Sequence, residues 1–238
     1  MPSTPILKAL TRAGVGPRRS MADAIRSGRV EVNGEVIEDF GHPVDIDMDH
    51  ILIDKCPIEL KPPKLVYLLL HKPRGVLTTT RDDRGRKTVL DILPTKYRQP
   101  GLHPIGRLDK DSTGLLLLTN DGDLTHRLAH PRFKHEKEYL ISIRARLNPA
   151  EKRRLERGIE LEDGTTLVAK VKEVHSKPFN YSITLHEGRK RQVRRMFKHL
   201  GFEVLALRRI RVGNVLLGDL PEGKLRELTS QEASELII

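Results

Sequence analysis

A chain of 238 residues with 37% hydrophobic content can form one large domain or two small ones around packed cores. Charged residues reach 32%, no apolar run of about 18 residues occurs, and the first residues lack an apolar signal core; this excludes a membrane protein and makes the cytoplasm the expected location. Lys and Arg outnumber Asp and Glu by 43 to 32, a net charge of +11 that points to a polyanionic partner, while the single cysteine, Cys56, excludes an internal disulfide or a CxxC metal site.

Pro5 to Ala13 reads as a short helix with Ile6, Leu7 and Leu10 on its apolar face. Gly14-Val15-Gly16-Pro17 breaks it, and Pro17 opens a second helix, Arg18 to Ser27, capped by Gly28. Alternation around Asn33-Gly34 predicts a β-hairpin, followed by short strands at Val44–Asp47 and Ile51–Ile53. The first basic block, from Lys8 to Arg29, faces only Asp23 among acids; residues 31–59 then turn acidic. Lys61-Pro62-Pro63-Lys64 reads as a linker. These features predict a small domain over 1–60, a linker over 61–65, and a second domain over 66–238.

KALTRAGVGPRRSMADAIRSGRVEVNG resembles the S4 RNA-binding module. The resemblance implies that Lys8, Arg12, Arg18, Arg19 and Arg26 lie against structured RNA.

Beyond the linker, Val66–Leu70 predicts a buried strand and Val89–Leu93 a short helix. The loop GRLDKDSTG precedes a strand over Leu115–Thr119 and the turn Asn120-Asp121-Gly122. Asp123 then caps a helix running to Ala129, stopped by His130-Pro131. Strands are predicted at Tyr139–Ala145, Leu167–Val174, Tyr181–His186, Glu203–Leu207 and Val212–Leu217. Helices are predicted at Ala150–Arg157, between Asn148-Pro149 and Gly158, and at Gln192–Leu200. Strands and helices mix without regular βαβ alternation, so the fold class is α+β with a largely antiparallel sheet. A second basic block spans residues 187–211. Two separated basic clusters imply two places that touch phosphate, or two solvated faces.

Asp109, in Gly106-Arg107-Leu108-Asp109, has two readings from the residues alone. It is either a nucleophile or base held near a cation, or a loop carboxylate in a salt bridge or cap. Asp111 and Asp121 are rival carboxylates, both with turn or cap readings. Tyr139 and Leu207 are most simply core residues. Arg107, two residues away, and the Arg194 block are candidate cations for Asp109, and from the residues alone Arg191 or Arg195 is nearly as eligible as Arg194.

The order of GRLD, Lys137-Glu138-Tyr139 and GRKRQVRRM behind an S4-like module resembles the RsuA/RluB branch of the pseudouridine synthases, over essentially the whole chain. The resemblance implies isomerisation of uridine to pseudouridine in ribosomal RNA. The RDDRGRK loop is closer to the large-subunit type than to the small-subunit type. The family resemblance implies catalytic roles for Asp109, Tyr139 and Arg194, with Arg194 pairing the aspartate. Arg107 and Leu207 fall in the substrate pocket, and Arg189 and Arg191 join the RNA-binding residues. The target uridine must leave its stack to reach Asp109. No Walker loop, GxGxxG, HExxH or GxSxG occurs, so no cofactor and no metal are expected, and a monomer that does not take DNA is the default. The competing reading is an S4-type RNA-binding protein without catalysis.

Overall fold

The computed structural model describes residues 3–61, 64–129 and 135–237. They form a mixed α+β protein of two compact units. One gathers the chain up to Val66 with residues 94–103 and 119–122; the other holds residues 67–93, 104–118 and those from Asp123 onward.

The first unit runs β1 (Thr4–Pro5), α1 (Ile6–Arg12), α2 (Arg18–Arg26), β2 (Val30–Val32), β3 (Glu35–Val36), β4 (Pro43–Val44), β5 (Ile51–Ile53) and β6 (Cys56–Ile58). Pro17 precedes α2 with φ −58°, a ring-fixed value that feeds directly into the helix. Asn33 and Gly34 both take positive φ, 51° and 90°, as a two-residue hairpin turn requires, and place Val32 opposite Glu35. The sheet order is β3-β2-β5-β6, while β1 pairs with β4. Ile6, Leu7 and Leu10 of α1 close onto Ala24 and Ile25 of α2 and onto Val30, Val32 and Ile51 of the sheet. This leaves Arg12, Arg18, Arg19 and Arg26 exposed and Lys8 half-buried.

In the second unit β7 (Tyr67–Lys72), β8 (His103–Ile105) and β9 (Thr113–Thr119) lead to α3 (Gly122–Ala129) and β10 (Lys137–Ser142). Then follow α4 (Pro149–Arg157), β11 (Glu160–Leu161), β12 (Gly164–Thr165), β13 (Lys170–Ser176), β14 (Phe179–Leu185) and α5 (Gln192–His199). β15 (Ala206–Val212), β16 (Val215–Leu216), β17 (Leu225–Glu227) and α6 (Ser230–Ile237) close the chain. The large sheet has the order β13-β14-β10-β15-β9-β7-β17. β10 lies antiparallel to both β14 and β15, and β15 runs parallel to β9. Leu69, Leu115, Leu117, Val212 and Val215 from the sheet pack with Leu124 and Leu128 of α3 and with Leu236. Among the described residues no helix is long and apolar enough to cross a membrane.

Several boundaries move. The strand expected over Val66–Leu70 continues through His71 and Lys72, which are buried. The helix expected at Val89–Leu93 is absent. Thr88 and Asp91 make the reciprocal contacts of a helix start, Thr88 donating its N–H to Asp91 Oδ2 at 2.7 Å and accepting from Asp91 N–H at 3.4 Å, but Pro94 follows too soon for a helix to extend, and a short 3-10 turn forms over Thr95–Tyr97. The strand expected from Leu167 starts at Lys170, because the N–H groups of Thr166, Leu167 and Ala169 go to Ile159, Glu187 and Glu156. The Pro62-Pro63 linker pair and the His130-Pro131 helix stop lie outside the described residues.

Candidate active site

Asp109 stands in the loop between β8 and β9, and that loop is stitched down from below. Thr78 donates its hydroxyl to Leu108 O at 2.8 Å and accepts from Leu108 N–H at 3.3 Å. Gly75 N–H reaches Lys110 O at 2.8 Å, and Ser112 N–H folds back onto Asp109 O at 3.0 Å. Beneath them lies Lys72, with no exposed surface. Its ammonium donates to Ser112 O and Pro73 O, both at 2.9 Å, and to Lys110 O at 3.4 Å. Burial pulls Lys72 down to about 8, partly opposed by the charges of Asp111, Glu222 and Asp109. Sequence reasoning missed Lys72. Its only signal was the Lys72-Pro73-Arg74-Gly75 corner at the end of an apolar strand.

Above this floor opens a cleft of about 380 Å³. Asp109 and Asp111 lie in it with Arg81, Arg107, Lys110 and Arg191. Asp82 also lines the cleft but is already committed. Arg86 grips it at 2.6 Å, the N–H groups of Arg86 and Arg84 add to that grip, and together they hold its carboxyl down to about 2. Asp109 keeps part of its surface open, and its ion-pair partner is Arg191, whose Nη1 lies 3.8 Å from Oδ2.

That partner differs from the expected one. Arg194 donates from Nη1 to Val204 O at 2.7 Å and from Nη2 to Asp111 O at 3.4 Å. Its guanidinium therefore braces backbone beside the cleft, with Nε buried and unpaired. Burial and the neighbouring Arg191 lower its pKa, and the carboxylates of Asp109 and Asp111 raise it. The physical reason is the turn at Arg191, whose left-handed backbone carries that side chain to the cleft ahead of the helix.

The other sequence-based residues divide. Arg107 is exposed on the cleft. Tyr139 is buried in β10, in register with Ile183 and Arg209, and Leu207 is buried in β15 opposite Ile141. Neither lines the cleft. Arg189 turns inward: its guanidinium donates to Glu187 and to the carbonyls of Asp163, Gly164 and Thr165. In the first unit Arg26 pairs with Asp23 at 3.2 Å and lies over the Phe40 ring. Asp121 belongs to the turn after β9 and is not part of the cleft.

Residues 66–199 match the family described as RNA pseudouridylate synthase, and residues 4–51 match the S4 domain. The ribosomal large subunit pseudouridine synthase B of Bacillus subtilis is 42% identical over 96% of this chain and 93% of its own length. A protein of the same name from Vibrio cholerae is 38% identical over 98% of this chain and 74% of its own. A crystal structure of a pseudouridylate synthase superposes with a TM-score of 0.68 at 31% identity, covering 97% of this chain and 98% of that one. The family match spans more than half of the chain and the relatives align with it almost end to end, and the protein belongs to the RNA pseudouridylate synthase family.

Proposed function

We propose that this chain isomerises uridine to pseudouridine in ribosomal RNA of the large subunit, acting in the cytoplasm as a monomer. The observation that carries the reading is Asp109. It lies in the cleft with its carboxylate part-exposed and a guanidinium 3.8 Å away. The names of the Bacillus and Vibrio relatives support the large subunit as substrate.

In the reaction the N1–C1′ bond of the nucleotide breaks and a C5–C1′ bond forms. C5 gives up its proton, N1 gains one, and nothing is imported. Asp109 serves as nucleophile or base toward the ribose–uracil unit. Arg191 holds the carboxylate from one side, and Arg194 fixes the backbone at Asp111 beside it. Arg107 and Lys110 supply positive charge for the phosphates that flank an extruded nucleotide. Tyr139, as a ring that stacks on the base, and Leu207, as an apolar wall, rest on the family resemblance alone. The basic residues Lys8, Arg12, Arg18, Arg19 and Arg26 of the first unit hold the rRNA and add affinity and site choice.

The test is pseudouridine mapping of rRNA from a host lacking this gene, complemented with wild type or with Asp109→Asn. One uridine that gains the mark only with wild type is expected, and its position reads out the subunit. Asp109→Asn should bind rRNA with wild-type affinity. No gained site, with the protein soluble and ribosome-associated, supports the alternative of an RNA-binding protein without catalysis.

A further inference from the structure

Arg191 reaches Asp109 from an unusual backbone. It sits at φ 51° and ψ 32°, in the left-handed region that non-glycine residues occupy only when their surroundings hold them. At 3.8 Å the contact with Asp109 is too long to be a hydrogen bond, so the pair does not hold that conformation itself.

The restraint comes from a neighbouring knot. Glu187 accepts Gln192 Nε2 at 2.7 Å and the N–H of Leu167 at 2.9 Å on one oxygen. Its other oxygen accepts Arg189 Nε at 3.0 Å. Gln192, only 4% exposed, returns its Oε1 to the N–H of Arg189 at 3.1 Å. Arg189 is anchored in turn on Gly164 O at 2.7 Å and on Thr165 O at 2.6 Å. The residues two before and one after Arg191 are thereby fixed to a single carboxylate. None of Glu187, Arg189 and Gln192 lines the cleft.

We propose that Glu187 is a positioning residue for the isomerisation: through Arg189 and Gln192 it locks Arg191 in its left-handed turn and so aims that guanidinium at Asp109. The inference rests on the reading of Asp109 as the reacting carboxylate. Removing the carboxylate leaves three donors without their acceptor. The turn then relaxes toward the right-handed region and the Arg191 side chain swings from the cleft.

The experiment uses the full chain and large-subunit rRNA purified from the host lacking the gene. Glu187→Ala should lower kcat about tenfold with KM within about twofold, as expected for a lost alignment and not for lost RNA affinity. Arg191→Ala should fall by a similar factor, and the double variant should be no worse than the poorer single, because both remove the same interaction. Glu187→Gln retains acceptors for Gln192 and Leu167 but opposes an amide to Arg189, so its kcat should fall between wild type and Glu187→Ala. It also carries the test if Glu187→Ala melts early. Multiplying losses in the double variant would overturn the proposal, as would a Glu187→Gln and Glu187→Ala pair at wild-type kcat or a loss confined to KM. Asp109→Asn, run alongside, separates the two failures. If it is active, the reading of the site falls and the positioning role with it; if it is inactive while both Glu187 variants match wild type, only the positioning role falls.

Discussion

Lys72 brings a full charge into the second unit with no exposed surface, and only backbone carbonyls receive its three N–H groups. Its pKa is lowered from 10.5 to about 8 by burial. Between these two values the unfolded chain binds the proton more tightly than the folded chain, so the lysine's contribution to stability rises with pH from about 8 to about 10.5. Denaturant melts of wild type and Lys72→Met at pH 7 and pH 10 check this. The stability difference should shift in favour of wild type at the higher pH, on the order of 3 kcal/mol at most. A difference that is flat with pH would mean that Lys72 is not held as a buried cation. At the same scale Asp109 stood out in the sequence because GRLD is a short, distinctive word. Lys72 did not, because a lysine's burial depends on which carbonyls fold over it, and those come from residues 73, 110 and 112.

Gly114 sits in β9 where it pairs with Arg209 of β15. Its φ is +109°, and an added Cβ would lie 2.2 Å from Arg209 O and 2.6 Å from Arg209 N. Backbone atoms in a parallel strand pair cannot yield that much, so Gly114→Ala should destabilise by about 3 kcal/mol or more, or fail to fold. Gly122, in α3 with open space around it, is the control: Gly122→Ala should melt within about 0.5 kcal/mol of wild type. In α4 the cap is local. Asn148 Oδ1 accepts the N–H groups of Ala150 and Glu151, and Glu151 returns its carboxylate to the N–H of Asn148 at 2.7 Å. Asn148→Ala should cost about 1 kcal/mol in thermal or denaturant melts. Asn148-Pro149, Asn33-Gly34 and the Gly14–Pro17 break were legible because their chemistry acts over a few residues. The segment Val89–Leu93 was misread because Thr88 and Asp91 do carry the local contacts of a helix start, while Pro94 ends the segment before a helix can extend.

Across the molecule the two basic blocks meet different fates. In the first, Arg12, Arg18, Arg19 and Arg26 remain on the surface. Arg18→Ala/Arg19→Ala should therefore weaken rRNA binding and make the slope of log affinity against log salt shallower by about 1 to 2 units. Titrations across a salt series check this, and an unchanged slope would remove these residues from the RNA contact. In the second block Arg189 and Arg195 grip the Asp163 hairpin, Arg209 donates to Leu115 O from a buried site, and Arg211 binds Glu136 and Glu138. Charge density along the chain marked this segment as an RNA surface, yet much of it is internal framework. The sequence by itself determined the family, the two-helix module with its hairpin and the α+β class, since each rests on short words or on local turn chemistry. Only the tertiary structure decided that Arg191 faces Asp109, that Arg194 and Lys72 brace the surrounding loop, and that Arg189 is a clamp. The sites that carry those partners, from Lys72 to Val204, lie far apart in the chain, and a guanidinium has no preferred acceptor until folding brings one within reach.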